Sequence, residues 1–105
     1  MVAGTSFRTE RDGRDATVII EGDVDLAEAE RLQQLIADLA DEGTRTVVVD
    51  LQQVGFMGSA GLGALVSGQN RLSEQGAGLR VRSPSPSVRR VLELTALDKV
   101  IVLDD

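Results

Sequence analysis

Short apolar runs alternate with stretches of helical periodicity along this chain, and this alternation constrains its fold more than any other feature. Two strand-like segments come first, Ser6 to Glu10 and Ala16 to Glu21, and the Asp12-Gly13 pair between them tolerates positive φ, which predicts an antiparallel hairpin. Thr46 to Leu51 is a β-branched run typical of a central strand. Leu79 to Arg82 alternates apolar and charged residues, which predicts a strand with one face in water.

Three segments between these runs have the apolar spacing of helices. Asp25 and Glu28 have the spacing of a capping box at the start of the first helix, and Gly43 is placed to end it. The second helix follows the turn at residues 58–61, and the third begins at Ser85-Pro86, a cap residue followed by a first-turn proline. The predicted apolar stripes are Leu26, Ala29, Leu32, Leu35, Ile36 and Leu39, then Leu62, Leu65, Val66, Gln69 and Leu72, then Val88, Val91, Leu92 and Thr95.

With a last strand at Val100 to Leu103, the predicted order is ββαβαβαβ, an α/β fold whose mixed sheet is opened by an antiparallel hairpin. Right-handed crossovers that step in one direction place the helices mainly on one face of the sheet. The opposite face then meets water, at alternating positions that include Thr46, Asp50, Arg80 and Arg82. Because 105 residues without repeats or long linkers suit one modest core, we expect a single domain over residues 1–105.

Histidine and cysteine are both missing from the sequence. Their absence excludes disulfides, thiolate or imidazole metal ligands, and catalysis by a histidine-activated serine or cysteine. We therefore expect no enzyme activity, cofactor or metal site. The net charge of -6 argues against nucleic acid or an anionic membrane as partner, which leaves proteins or small molecules. We expect a cytoplasmic location, because no leader-like start and no stretch of about 20 apolar residues is present.

The segment from Val54 to Gly63 concentrates the residues that could carry function, because loops after the carboxyl ends of strands are preferred functional positions in such sheets. Ser59 lies there beside the positive end of a helix dipole, where free backbone N–H groups can hold a phosphate. An alternative interpretation is that Ser59 only caps the helix, since serine is a favoured cap residue at any helix start. Spacing leaves both interpretations open.

The glycines of this segment do not form a nucleotide-binding loop. Gly58 and Gly63 have the spacing of a P-loop, but Ala64-Leu65 stands where lysine and Ser or Thr are required. The order Gly58, Gly61, Gly63 also reverses the dinucleotide-binding fingerprint. We expect Gly61, Gly63 and Gly68 to allow close approach of the helix to the sheet.

Several segments together resemble the anti-sigma-factor antagonists, a family of STAS domains, in order and spacing. They are Gly22-Asp23-Val24-Asp25, Val49-Asp50-Leu51, Phe56 to Gly63 and Ser83 to Arg90, and the resemblance covers nearly the whole chain. In that family the turn usually reads Asp-Ser-Ser-Gly-Leu-Gly, and an anti-sigma factor that is an ATP-dependent serine kinase phosphorylates its first serine. That serine falls on Ser59. Gly58 replaces the usual Asp, and Ala60 replaces the second Ser.

The resemblance implies a non-enzymatic anti-sigma-factor antagonist. Its unphosphorylated form would bind an anti-sigma factor with serine kinase activity and release a sigma factor, phosphorylation of Ser59 would end binding, and a serine phosphatase would reset the switch. The implied partner-binding residues are Asp23, Asp25, Gly58, Ser59, Ala60, Gly61 and Leu62.

Structural alternatives stand beside these roles. Asp25 also suits a helix cap, and Arg89-Arg90 suits a solvated helix face. A non-phosphorylated scaffold or transport-complex subunit of the same fold is the alternative function. An enzyme using Ser59 is a third, for which the sequence offers no base. A homodimer is compatible with each.

Overall fold

A computed structural model describes residues 4–104, and the order of its elements confirms the predicted ββαβαβαβ fold. The elements are β1 (Ser6–Asp12), β2 (Asp15–Glu21), α1 (Leu26–Asp41), β3 (Thr46–Gln53), α2 (Ser59–Ser73), β4 (Gly78–Arg82), α3 (Pro86–Leu94), a short 3-10 helix (Leu97–Lys99) and β5 (Val102–Asp104). The sheet order is β1-β2-β3-β4-β5, with β1 antiparallel to β2 and the other neighbours parallel. Within these residues, no helix is long and apolar enough to cross a membrane.

The β1–β2 hairpin turns at Gly13 and Arg14, and Gly13 has a φ of 63°. A positive φ at the first central position of a two-residue loop is the reason glycine is favoured there. At the other end of the chain, the 3-10 helix was not predicted. It takes up residues before the last strand, so that strand begins at Val102 rather than at Val100.

The sheet buries one face under the helices and leaves the other accessible, as predicted. Val47, Val49 and Leu51 of β3 are fully buried in the apolar core, whereas Thr46 and Asp50, on the opposite face of the strand, are partly exposed. Burying large aliphatic side chains contributes about 1.5–3 kcal/mol each to folding. The helices therefore pack on the sheet face that carries the alternating valines.

Ion pairs cross the accessible face between neighbouring strands. Arg82 donates to Asp50 at 2.8 Å, and Arg80 donates to Asp104 at 2.7 and 2.8 Å. Hydrogen bonding from the Arg80 guanidinium holds the pKa of the Asp104 carboxyl below its usual range. These pairs match the expected surface of charged alternating positions.

Helix α1 begins and ends as predicted, but one residue of its stripe does not join the core. Asp25 is the N-cap and forms a capping box with Glu28, whose carboxylate accepts from the Asp25 N–H at 3.0 Å. Gly43 follows the helix with a φ of 85°, a left-handed conformation that glycine adopts without strain. Leu26, predicted in the stripe, is 64% exposed because it lies in the first turn, outside the core. In α3, Thr95 is likewise not a stripe residue: it is the exposed C-cap.

Two of the three helix glycines lie at close contacts, as expected, and one does not. A Cβ at Gly68 would lie 2.9 Å from Ile36 of α1 and 3.3 Å from Leu79 of β4, and a Cβ at Gly61 would lie 2.7 Å from Met57. Gly63 is exposed and has open space where its Cβ would be. The expectation for Gly63 was wrong, because this residue lies on the outer face of α2.

Candidate functional site

Two loops at one end of the sheet pair side by side and bring the predicted site residues together. The Val24 N–H donates to the Phe56 carbonyl at 2.9 Å, and the Gly58 N–H donates to the Val24 carbonyl at 2.9 Å. Val24 and Met57 thereby form a parallel β-bridge. This pairing places the Asp23 to Asp25 loop beside the turn that leads into α2.

Side chains from other elements hold the same loops in place. The Ser85 hydroxyl, at the start of α3, donates to the Val54 carbonyl at 2.5 Å, and the Ser87 hydroxyl donates to the Gly55 carbonyl at 2.9 Å. On the other side, the Thr5 hydroxyl donates to the Asp23 carbonyl at 2.6 Å. Because these carbonyls already accept hydrogen bonds from the protein, the loops do not need to rearrange to expose them to water. The loops therefore form a fixed base for the surface above them.

Ser59 is the first residue of α2 and its side chain is exposed. The N-cap is Gly58, whose extended backbone (φ −76°, ψ 176°) is set by its bond to the neighbouring loop. The interpretation that Ser59 caps the helix is therefore wrong, because Ser59 already has a helical position. Within residues 4–104, the structure gives the Ser59 hydroxyl no hydrogen-bond partner. The hydroxyl is thus accessible from solvent.

Ser59 also lies at the positive end of the α2 dipole. The Leu62 N–H donates to the Gly58 carbonyl at 3.1 Å, so the N–H groups of the three residues before Leu62 precede the helical ladder. Because Gly58 has no side chain, it supplies no cap to these donors. Free donors and the helix dipole favour negative charge at this point.

Exposed carboxylates and apolar side chains lie on the two paired loops next to the serine. Asp23 and Asp25 are exposed, and the site also carries Phe56 at 52% and Leu26 at 64% exposure. A Cβ at Gly58 would lie 3.4 Å from the Asp25 carboxylate and 3.5 Å from the Phe56 ring, so this position lies between the acid and the aromatic face. Large apolar side chains that stay exposed beside a functional group are characteristic of protein-binding surfaces.

The predicted site residues divide into a surface and its support. Asp23, Asp25 and Ser59 are exposed and Gly58 is partly exposed. Ala60 is also partly exposed, whereas Gly61 and Leu62 are buried beneath the turn. Sequence reasoning missed Leu26 and Phe56 as surface residues. Phe56 could have been noticed as one of only two aromatic residues in the chain, located in a glycine-rich turn.

Comparison with known proteins agrees with this architecture. Residues 7–103 match the family model described as "Mlab, STAS domain". The anti-sigma-B factor antagonist of Staphylococcus aureus (strain NCTC 8325 / PS 47) is 26% identical over 84% of this chain and 82% of its own length. An anti-sigma factor antagonist from Mycobacterium paratuberculosis has a crystal structure with a TM-score of 0.86 and 30% identity, over 96% of this chain and 86% of that one.

A further solved structure shares the fold at lower identity. The Bacillus cell fate determinant SpoIIAA, solved in its phosphorylated form, has a TM-score of 0.76 and 20% identity over 95% of this chain and 92% of that one. The resemblance found in the motifs is thus confirmed by a match along nearly the whole length. The chain belongs to the STAS domain family.

Proposed function

We propose that this protein is an anti-sigma-factor antagonist controlled by phosphorylation of Ser59. In its unphosphorylated form it binds a cytoplasmic anti-sigma factor that has serine kinase activity, and this binding releases a sigma factor. The observation that carries the proposal is the Ser59 hydroxyl, exposed and without a partner among the described residues, at the positive end of α2. The names of two relatives, at 26% and 30% identity, support the antagonist function.

The surface around Ser59 suits a protein partner. Phe56 and Leu26 offer apolar area that is desolvated on binding, and Asp23 and Asp25 favour a partner with basic groups at the rim. Burial of such aromatic anchors in a partner pocket supplies most of the affinity in typical interfaces. The Ser59 hydroxyl, on the turn next to these loops, would be enclosed when the partner docks.

Enclosure of the hydroxyl explains how phosphorylation would end binding. In the transfer step, the Ser59 oxygen attacks the γ-phosphorus of ATP bound to the kinase, ADP leaves, and the hydroxyl proton passes to a base of the kinase. The product carries about −1.5 to −2 charge at a site that already holds two carboxylates. On rebinding, the phosphate on Ser59 would be repelled by the nucleotide phosphates of the kinase, and it would also have to lose its bound water. A cost of about 3 kcal/mol would weaken binding by roughly a hundredfold.

Restoration of the switch requires a separate enzyme, a serine phosphatase that hydrolyses the phosphate ester. This chain supplies the acceptor oxygen and the docking surface, while the kinase supplies the nucleotide and the base. Within the described residues, no side chain is hydrogen-bonded to Ser59 to act as its base. The proposal therefore assigns no catalytic residue to this protein.

The experiment is a pull-down from native cytoplasm with four baits: the wild type, Ser59→Ala, Ser59→Asp and Ser67→Asp. Ser67 is exposed on the same helix, so its substitution adds the same charge away from the site. We expect an anti-sigma factor with a kinase domain, identified by mass spectrometry, on every bait except Ser59→Asp. Retention of the same partners by all four baits would contradict the switch and would favour the alternative, a constitutive adaptor.

A further inference from the structure

Strand β1 is an edge of the sheet, and its charges balance although those of the chain do not. Within the described residues, β1 (Ser6–Asp12) pairs only with β2. It carries Arg8 and Arg11 against Glu10 and Asp12, and is therefore neutral in a chain of net charge -6. An edge strand presents unpaired backbone N–H and C=O groups that can pair with another strand. The local neutrality means that β1 itself adds no net repulsion against a second copy at this edge.

Antiparallel pairing of β1 with itself around Thr9 matches charges. In this register Arg8 lies opposite the partner's Glu10, and the twofold axis repeats that pair. A shift by two residues would instead place Arg8 or Glu10 opposite its own copy, which is unfavourable for like charges. A shift by one residue would put the helices of the two copies on opposite faces of the joined sheet. Of these registers, only the one centred on Thr9 pairs opposite charges and also keeps the helices of both copies on one face of the joined sheet.

The helix side of β1 supports the same twofold axis. A cleft of about 390 Å³ separates β1 from α1, and it is lined by Phe7, Thr9, Arg31, Gln34, Leu35 and Asp38. The Arg31 guanidinium lies 4.5 Å from the centre of the Phe7 ring, so the tip of this α1 side chain reaches β1 two residues before the axis at Thr9.

Thr9, on the axis, lines the same cleft as Leu35 and Asp38 of α1. The cleft of one copy would then continue into the cleft of the other, and each copy would bring one cation, Arg31, and one carboxylate, Asp38, to it. On the accessible face of the sheet, Arg8 and Glu10 lie 3.6 Å apart within one strand, and in the dimer they would also meet the partner's Glu10 and Arg8.

We infer that this protein forms a weak homodimer through β1, with a continuous ten-stranded sheet made from two five-stranded ones. The Thr5 hydroxyl, just before β1, is bonded to the Asp23 carbonyl, so each Ser59 site lies near the start of β1. Antiparallel pairing places the two starts at opposite ends, and both sites stay accessible. The dimer therefore offers two docking surfaces to a dimeric or clustered partner, which raises avidity without new contacts.

The test is sedimentation velocity of the purified chain from about 5 to about 500 μM, a range that detects micromolar dissociation constants. Arg8→Glu and Glu10→Arg should each raise the dissociation constant by about ten- to a hundredfold, since each converts two opposite-charge pairs into like-charge pairs. The double variant Arg8→Glu/Glu10→Arg should restore dimerisation. Both residues have side chains more than half exposed, so the fold should tolerate these changes. Arg90→Glu, an equal charge change on the exposed surface of α3, is the control and should have no effect.

A monomer at every concentration would overturn the inference, and the charges of β1 would then only protect its edge from pairing. A dimer that ignores both single substitutions, or that the double variant fails to restore, would also overturn it. The measurement uses no anti-sigma factor. Its failure is therefore distinguishable from failure of the proposed function.

Discussion

Two glycines of α2, only two residues apart, should respond to the same substitution with opposite signs. Gly61 is buried, and a Cβ there would lie 2.7 Å from Met57 Cγ and 3.0 Å from Val24 Cγ1. Gly63 has nothing within 4 Å of the same position. Because both lie in the first half of one helix, Gly61→Ala and Gly63→Ala form a matched pair that isolates packing from helix propensity.

The magnitudes follow from the two surroundings. Alanine at an open helical position stabilises by about 0.5–1 kcal/mol relative to glycine, and this is the expected gain for Gly63→Ala. At Gly61 the methyl group would overlap buried atoms close to the backbone, which cannot swing away as a flexible side-chain end can. Overpacking of this kind costs about 1–3 kcal/mol and exceeds the propensity gain. The free energies of unfolding of the two variants should therefore differ by about 1–3 kcal/mol.

Urea denaturation followed by circular dichroism measures this difference, with an unchanged m-value as the sign that only stability has changed. In thermal melts, a domain of this size shifts by about 4–8 °C for each kcal/mol. Equal stabilisation by both substitutions would refute the assignment of Gly61 to a close contact. A loss of stability in Gly63→Ala would refute the assignment of open space.

Two smaller predictions concern single hydrogen-bonded groups. Ser85→Ala should lower the free energy of unfolding by about 1–3 kcal/mol, because it leaves the carbonyl of the fully buried Val54 without its donor. Ser87→Ala should cost less, because Gly55 is exposed and water can replace the hydroxyl at its carbonyl. Urea denaturation compares the two variants, and equal losses of stability would contradict this difference. Arg80→Met should return the pKa of the Asp104 carboxyl upward to its ordinary range, as followed by carboxyl-carbon NMR shifts during an acid titration. Since that pKa is lowered in the folded protein, the pair stabilises the fold above the ordinary carboxyl pKa and loses this effect as the pH falls through the lowered pKa. An unchanged pKa in the variant would contradict the pairing.

The sequence predicted the order of elements well because each element satisfies its own local rule. The β-branched run of β3, the capping box at Asp25 and the Ser-Pro start of α3 act over a few residues and do not depend on distant contacts. The 3-10 helix was not predicted because three residues are too few to show a periodic pattern of apolar side chains.

Positions decided by tertiary contacts were harder to predict. The helix cap falls on Gly58 rather than Ser59 because the bridge to the Val24 loop keeps residue 58 extended and ends there, so the helix begins at Ser59, one residue earlier than a cap at Ser59 would allow. The stripe of α1 identified Leu26 as apolar, but a stripe does not show where the core ends, and Leu26 lies outside it. The predicted site was therefore right in its location, while its exposed apolar surface became evident only in three dimensions.

Isothermal titration with the anti-sigma factor identified in the pull-down measures whether phosphorylation of Ser59 switches binding off. The protein is prepared unphosphorylated and with Ser59 stoichiometrically phosphorylated, and each form is titrated into the same partner. We expect tight binding by the unphosphorylated form and a dissociation constant at least about a hundredfold higher for the phosphorylated form. Equal dissociation constants for the two forms would contradict it.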